Sequence, residues 1–302
     1  MLARQRQARI LERIREDGAV RVAELVRALG VSDMTVRRDL EALRARGLLE
    51  KVHGGATAVS GSALFEPGFA AKSALQQAEK AAIAEAAAAL VEPGMAIGIS
   101  AGTTTYALAR RLGEIAGLTV VTNSIRVADA LGETAPGMTV VLTGGVRTPS
   151  DALVGPFAVA VLQTVHLDLV FMGVHGMDLR AGFTSPNLLE AEANRAMVAA
   201  ARLLVVVADH TKWGVVGLSS FARLDEADIL VTDTGLEPAA ADALAAHVRQ
   251  LVRAEPYGSG PGRLPAPSEP VRAVRGGTPL GGAEPGAPAA AAAAASYRET
   301  AG

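Results

Sequence analysis

Six short, almost entirely apolar runs lie between residues 95 and 233, and helical or turn-forming stretches separate each run from the next. They read MAIGI, LTVVT, MTVVLT, LDLVFMG, LLVVVAD and ADILVTD. A strand with one face toward water alternates polar and apolar side chains, whereas a strand buried on both faces is apolar throughout. The pattern therefore predicts an α/β domain with a mainly parallel sheet that helices cover on both sides.

The composition outside these runs divides the chain further. A long alanine-rich helix is predicted at about residues 73–90, and we expect the α/β domain to extend over 73–254. Residues 60–72 contain scattered Gly and Pro and predict a linker. The segment 255–302 is rich in Gly, Pro, Ala and Ser, a composition that buries too little apolar surface to offset its ordering entropy. We therefore expect a disordered tail there.

Residues 1–59 differ from the rest of the chain in charge. Residues 1–60 contain eleven Arg and one Lys against eight Asp or Glu, a balance of +4, whereas the remainder has 17 basic and 23 acidic residues, a balance of −6. A small basic segment beside a larger acidic one indicates a polyanion-binding module joined to a second domain. Chance clustering of charge is the alternative that this observation leaves open.

Three short helical patterns occupy most of the basic segment. The first covers residues 3–16 and the second 22–29, and the third begins after Ser32, a favourable N-cap residue, and ends at Gly47. The alternating run LLEKVHGGATAV follows and predicts a β-hairpin. This spacing matches a helix-turn-helix, and the hairpin supplies a wing.

The third helix has two distinct faces. On a helical wheel Val36, Leu40 and Leu43 share one face, which we expect to pack on the first two helices. Arg38 lies almost opposite that face, and Arg37 lies on its flank. Such a helix fits the DNA major groove, where Arg can bond guanine edges and phosphates.

The start of the third helix is polar. Ser32 and Thr35 place hydroxyl groups where the helix dipole favours anions, so we expect both to hold a DNA phosphate. The alternative is a solvated charged face, on which Asp39 and Glu41 partly neutralise the arginines.

The run SDMTVRRDLEALRARGLLEKVHGGA, residues 32–56, closely resembles the winged helix-turn-helix signature of DeoR-type bacterial transcription regulators. The resemblance implies binding of a double-stranded DNA operator through residues 21–40, usually for repression. It also adds the wing residue His53 to the candidates for DNA contact. The residues that carry the resemblance are Ser32, Thr35, Arg37, Arg38, Asp39, Leu40, Leu43, Gly47, His53, Gly54, Gly55 and Ala56.

Polar turns follow five of the predicted strands, at residues 100–105, 122–124, 143–145, 173–178 and 209–212. In open α/β sheets, ligands bind beyond the carboxyl ends of the strands. The first turn reads SAGTTT and opens a helix, so its hydroxyl and N–H groups can hold a phosphate, and Lys212 in the last turn offers a cation. Each turn alone is more often a simple helix cap, but together they favour a site for an anionic small molecule.

The resemblance to DeoR-type regulators extends over about residues 4–252. It implies that the second domain senses a phosphorylated sugar or related metabolite and is related in fold to ribose-5-phosphate isomerase and coenzyme A transferases. A homo-oligomer is also expected, because a single module of this kind usually needs a partner to read a long enough site. The effector positions that the resemblance implies are Ser100, Gly102, Thr103, Thr104, Thr105, Thr122, Asn123, Ser124, Gly144, Gly145, Asp178 and Lys212.

Two departures from the relatives concern acidic residues. Relatives commonly carry Asp where this chain has Ser100, and the isomerases carry a Gly-Ala-Asp-Glu-x-Asp loop, of which residues 173–178 keep only Asp178. Isomerisation needs a positioned base and acid, for which Glu192 and Asp178 remain. The alternative function is a sugar-phosphate isomerase-like enzyme fused to a DNA-binding module, and the depleted acids argue against it. A purely architectural DNA-binding protein would not explain the polar turns.

Several classes of protein are excluded or disfavoured by what the sequence lacks. The absence of cysteine excludes disulfides, thiolate zinc sites and a Cys nucleophile. The charged N-terminus lacks the apolar core of a signal peptide, and no run of about 18 apolar residues indicates a membrane helix. We expect a cytoplasmic protein with no membrane partner, no metal site and no cofactor.

Overall fold

The computed structural model describes residues 2–46, 48–52, 54–57, 68–148 and 150–256. His53, most of the expected linker and the expected tail from residue 257 onward lie outside the described residues. In the described part, the N-terminal domain consists of α1 (Ala3–Asp17), β1 (Ala19–Arg21), α2 (Val22–Leu29), α3 (Asp33–Ala45), β2 (Glu50–Val52) and β3 (Gly55–Thr57).

The helix-turn-helix follows from local sequence signals. Gly30 adopts a left-handed conformation with φ of 65°, which ends α2 without the strain that a side chain would bring there. Ser32 then caps α3, because its Oγ accepts a hydrogen bond from Thr35 N at 3.3 Å. Val36, Leu40 and Leu43 are fully buried, as the wheel predicted for the inner face of this helix.

The wing contains one strand more than the predicted hairpin. β2 and β3 pair antiparallel, and β1 adds to β3 to give the order β1-β3-β2. A Cβ at Gly55 would lie 2.1 Å from Val20 O, so only glycine permits this approach of the two strands. A strand of three residues is too short to show an alternating pattern, so β1 could not be predicted from the sequence.

Two helices occupy the region of the single alanine-rich helix that was predicted at about residues 73–90. α4 (Phe69–Ser73) overlaps the end of the expected linker, and α5 (Gln77–Ala88) begins four residues later than the predicted helix. Gln76, which lies between them, has a left-handed backbone with φ of 49° and interrupts the helical path. Alanine favours helix along the whole stretch, so its composition does not signal the break.

The second domain is an α/β layer structure. Its sheet has the order β15-β14-β12-β9-β4-β5-β6, and all seven strands are parallel. The elements after α5 are β4 (Ala96–Ile99), α6 (Thr103–Ala109), β5 (Thr119–Thr122), α7 (Ile125–Thr134), β6 (Thr139–Leu142), β7 (Val146–Arg147), β8 (Leu153–Val154), α8 (Pro156–Leu162), β9 (Leu167–Gly173), β10 (Gly176–Asp178), β11 (Gly182–Ser185), α9 (Leu188–Ala199), β12 (Ala201–Val207), β13 (Ser219–Ala222), β14 (Ile229–Asp233), α10 (Pro238–Ala245) and β15 (Gln250–Ala254).

All six predicted apolar runs are strands of this sheet, and the parallel arrangement is confirmed. Successive residues of β9 pack on opposite sides: Leu169 and Phe171 join the core that α5, α6 and α7 cover, while Val170 and Met172 join the core under α8, α9 and α10. Burial on both faces is therefore the reason that the runs are apolar throughout.

Three features of the second domain were not predicted. β15 extends the parallel sheet at one edge, and β10, β11 and β13 form a separate antiparallel sheet, while β7 and β8 form a short hairpin. Each of these strands is short, and β13 and β15 also pair with segments that are distant in sequence. Among the described residues, no helix is long and apolar enough to cross a membrane.

Candidate DNA-binding surface and effector site

The outer face of α3 carries one arginine that is free and one that is paired. Arg37 Nε donates to Asp33 Oδ1 at 2.5 Å, and this hydrogen bond raises the pKa of Arg37. Arg38 is exposed and makes no hydrogen bond or ion pair with any described residue. Met34, one turn earlier on the same face, is 76% exposed.

The acids near Arg38 are engaged elsewhere. Asp39 is buried and accepts hydrogen bonds from Arg6 Nε at 2.7 Å and from Gln7 Nε2 at 3.2 Å, which ties α3 to α1. Glu41 accepts from Arg44 at 3.0 Å and from Lys51 at 2.9 Å. The alternative of a face neutralised by Asp39 and Glu41 therefore does not apply to Arg38.

The hydroxyls at the start of α3 bond to each other. Ser32 Oγ and Thr35 Oγ1 are 2.9 Å apart, and both groups lie at the surface. Ser32 therefore has a structural role as the cap of α3, in addition to the phosphate contact that we expect of it.

The order of the main sheet reverses between β4 and β9. From β4 the chain moves outward to β5 and β6, whereas β9 begins the succession to β12, β14 and β15 on the other side. Ligands of open α/β sheets bind at such a switch point, beyond the carboxyl ends of the strands. Ser100 follows β4 at this point, and its Oγ accepts a hydrogen bond from Gly173 N at 2.9 Å.

The turn that leads into α6 has both occupied and free hydroxyls. Thr105 Oγ1 donates to Gly102 O at 3.0 Å and is fully buried. The hydroxyls of Thr103 and Thr104 make no hydrogen bond with any described residue, so both can bind a ligand.

The next turn holds its neighbours in place. Thr122 Oγ1 donates to Ile99 O at 2.6 Å, and Asn123 Oδ1 accepts from Ala101 N at 2.9 Å, so both side chains link β5 to the end of β4. Ser124 caps α7. Thr122 and Asn123 therefore position the first turn, whereas Ser124 serves the start of α7.

Two other predicted positions serve the backbone. A Cβ at Gly145 would lie 2.5 Å from Val154 O, so glycine allows the close approach of β7 and β8, and Gly144 also has a left-handed φ of 71°. Asp178 accepts from Arg180 N at 2.8 Å and from Ala181 N at 2.9 Å in the turn between β10 and β11. These two bonds lower the pKa of Asp178.

Lys212 lies in a 3-10 turn that buried carboxylates fix. Asp209 accepts hydrogen bonds from the backbone N–H and the hydroxyl of Thr211. Asp233, which is fully buried, accepts from His210 N at 2.8 Å and contacts His210 Nδ1 at 2.7 Å. The half-buried Lys212 makes no hydrogen bond or ion pair with any described residue.

A second lysine, which the sequence interpretation missed, lies close to Lys212. Lys80 of α5 is only 6% exposed, and its ammonium donates to Lys72 O at 2.5 Å and to Leu75 O at 2.6 Å. Burial lowers the pKa of Lys80 to about 8, and the charge of Asp209 opposes this shift while that of Lys212 adds to it. Lys80 therefore lies within electrostatic reach of the 209–212 turn.

A sequence signal for Lys80 exists in the helical pattern. Lys80, Ile83, Ala84 and Ala87 recur at the spacing of one helix face, and all four are buried. Lys80 is unusual as a single lysine on an otherwise apolar helix face, because buried lysines are rare unless they are paired.

Family models match both domains. The DeoR-like helix-turn-helix domain matches residues 6–61, and the DeoR C terminal sensor domain matches residues 75–234. The chain belongs to the DeoR family of transcription regulators. It is therefore a DNA-binding regulator with a sensor domain.

Curated relatives of this DeoR-family chain are similar to it in sequence over most of its length. It is 38% identical to the HTH-type transcriptional regulator GlpR of Haloferax volcanii over 78% of this chain and 92% of the relative. It is 35% identical to the HTH-type transcriptional regulator GolR of Listeria innocua over 78% of this chain and 92% of that relative. It is 31% identical to the transcriptional repressor AccR of Agrobacterium fabrum over 76% and 89%.

Solved structures overlap with this chain only partially. A D-ribose-5-phosphate isomerase in complex with phospho-erythronic acid covers 44% of this chain and 52% of its own, with 18% identity and a TM-score of 0.34. A match of this size carries no argument about activity. The relatives at 31% identity and above are named regulators, which supports the regulator interpretation over the enzyme alternative.

Proposed function

We propose that this chain represses transcription by binding operator DNA through α3, and that a phosphorylated sugar bound at the strand ends of the second domain controls that binding. Repression is supported by the relative that is named a transcriptional repressor. The observation that carries the effector class is the pair of ammonium groups, Lys80 and Lys212, at one end of the sheet.

Charge favours a phosphate at this place. Lys80 and Lys212 each carry a positive charge, and the two carboxylates at this turn, Asp209 and Asp233, are already bonded to Thr211 and His210, so the ammonium groups favour a dianion over a neutral sugar. The free hydroxyls of Thr103 and Thr104 lie beyond β4, which β9 alone separates from β12, the strand that leads to Lys212. Ammonium and hydroxyl donors together are the groups that phosphate oxygens bind.

A ligand screen tests the effector class. A compound that binds only the folded protein raises its melting temperature. We therefore expect at least one phosphorylated sugar to raise the melting temperature of the full chain, and the same sugar without its phosphate to leave it unchanged. Equal stabilisation by both forms, or by neither form of any sugar, would contradict the proposal.

For DNA, we propose that the chain binds as a homo-oligomer in the cytoplasm. One helix-turn-helix reads about half of a typical operator, and symmetric sites require two modules. Cross-linking on an operator duplex tests this, and a single bound module at saturation would contradict it.

A further inference from the structure

The short helix α4 lies between the two domains in the chain and contacts both. Its residues approach α1 of the DNA-binding domain on one side and α6 of the sensor domain on the other. A shift of α4 therefore alters its contacts with both domains.

Aromatic contacts attach α4 to the elements that carry the candidate effector turns. The rings of Phe69 and Tyr106 meet edge to face, with centroids 5.2 Å apart, and Tyr106 follows the 102–105 turn directly. The guanidinium of Arg126 lies 5.3 Å from the centroid of the Phe69 ring, and Arg126 follows the 122–124 turn. Phe69 thus contacts the helices behind two of these turns.

The other end of α4 is attached through Lys80. The carbonyls of Lys72 and Leu75, at the end of α4 and just beyond it, are the groups to which Lys80 Nζ donates. Lys72 O also accepts from Leu75 N at 3.3 Å, so the Lys80 ammonium adds a second bond to a turn that the backbone already closes. The left-handed Gln76 follows directly, so Lys80 supplies a side-chain contact across the joint between α4 and α5.

We propose that α4 transmits effector occupancy to the DNA-binding domain, because a phosphate near Lys212 competes with the carbonyls of Lys72 and Leu75 for the Lys80 ammonium. This inference rests on the proposed function, since it assumes a phosphorylated effector at that site. A charge-assisted hydrogen bond to phosphate is stronger than one to a neutral carbonyl, so the bound effector draws Lys80 from the joint. The α4–α5 joint then loosens, and α4 shifts against α1.

Substitution of Phe69 separates binding from transmission, because Phe69 is not part of the proposed effector site. The probe is the phosphorylated sugar with the largest effect in the screen, and inorganic phosphate is a second probe. For Phe69→Ala and Phe69→Leu we expect the rise in melting temperature caused by the probe to match that of wild type. The factor by which the probe changes the operator Kd should be at least fivefold smaller in these variants than in wild type.

Two matched variants serve as controls. Tyr106→Phe keeps the ring pair and should respond as wild type does. Phe157→Ala removes an aromatic ring that is 77% exposed on α8, and it should also leave the response unchanged.

The outcomes distinguish the two claims. If Phe69→Leu is folded, binds the probe and keeps the full operator response, α4 is not the transmitting element. If no phosphorylated compound stabilises the wild-type chain, the proposed effector class fails and this inference fails with it. Hydrogen exchange adds a test without substitution: amides of residues 69–76 should exchange faster with the probe bound, and unchanged exchange would overturn the proposal.

Discussion

The outer face of α3 and the strand ends of the sensor sheet both present cations, but those cations are in opposite states. Arg38 is exposed and has no partner among the described residues, whereas Lys80 is buried and its ammonium is bound to two backbone carbonyls. A surface that holds a free arginine can bind an anion without rearranging. A site that must first release its lysine from the protein couples ligand binding to a structural change.

The acids show the same difference. On α3, Asp39 turns inward to Arg6 and so leaves the outer face positive. At the strand ends, Asp209 faces the same neighbourhood as Lys80 and Lys212 and moderates their charge. We therefore propose that the DNA-binding surface is preformed, whereas the charges at the sensor site are balanced, so that ligand binding there can change the structure.

Substitution of Asp39, whose carboxylate is buried against α1, should have the largest effect on stability. Asp39→Ala leaves Arg6 largely buried without its carboxylate, which should lower the free energy of unfolding by roughly 3 kcal/mol. Asp33→Ala removes an exposed acid of the same helix and should change it little. Chemical denaturation of both variants measures the difference. Equal loss in the two variants would remove the distinction between the inner and outer faces of α3.

Lys212 tests the balanced site. Loss of a hydrogen bond to a charged group costs about 1.5–3 kcal/mol, so Lys212→Ala should raise the effector concentration needed for half-response about ten- to a hundredfold. Operator affinity without effector should not change. Arg202→Ala, which removes an exposed cation of β12, is the control. An unchanged response in Lys212→Ala would place the phosphate elsewhere.

Arg38 tests the preformed surface. If it bonds a guanine edge, Arg38→Ala should weaken specific operator binding by roughly 1–3 kcal/mol and leave the fold intact. Binding to specific and random duplexes at one fixed salt concentration separates base contact from phosphate contact. Arg44→Ala, whose side chain is paired with Glu41 on the same helix, should have a smaller effect. Wild-type operator affinity in Arg38→Ala would rule out this face as the recognition surface.

The acid–base behaviour of Lys80 predicts a smaller effect with a definite sign. Its pKa of about 8 in the folded protein, against 10.5 for the free side chain, means that it loses its charge as the pH rises through 8. Affinity for the phosphorylated effector should therefore fall about five- to tenfold between pH 7.5 and 9. Because arginine keeps its charge in this range, Lys80→Arg should remove that dependence if it still binds the effector. A flat profile in wild type would exclude Lys80 from the site.

Lys80 should affect the free energy of unfolding in the opposite direction from effector affinity as the pH rises. Since the folded-state pKa is lowered, the unfolded chain binds more protons than the folded protein between pH 8 and 10.5. The contribution of Lys80 to stability therefore rises over this window and is constant below it.

Features that depend on residues close together in the sequence were predictable, and features that depend on distant residues were not. The faces of α3 and its cap at Ser32 depend on residues within a few positions of one another, and the structure has them as predicted. The six apolar strands were also predictable, because burial on both faces marks each strand by itself. β13 and β15 depend on pairing with distant segments, and β10 and β11 are a local pair of only three and four residues, so none of these sequences carries such a mark.

The effector site itself stays a prediction, and the structure adds detail to it that the sequence could not supply. The polar turns predicted a ligand at this edge of the sheet, but the sequence could not show that Thr122 and Asn123 bond to the backbone, whereas the hydroxyls of Thr103 and Thr104 have no partner among the described residues. Lys80 was missed because its role depends on the break between α4 and α5, which alanine-rich sequence conceals.

Operator affinity measured against effector concentration tests the central claim most directly. A labelled operator duplex is titrated with the wild-type chain at constant salt, first alone, then with the phosphorylated sugar from the screen, and then with the unphosphorylated sugar. We predict that only the phosphorylated form lowers operator affinity, by at least tenfold at saturation. Operator affinity that is the same under all three conditions would contradict the account of a DNA-binding regulator controlled by a phosphorylated sugar.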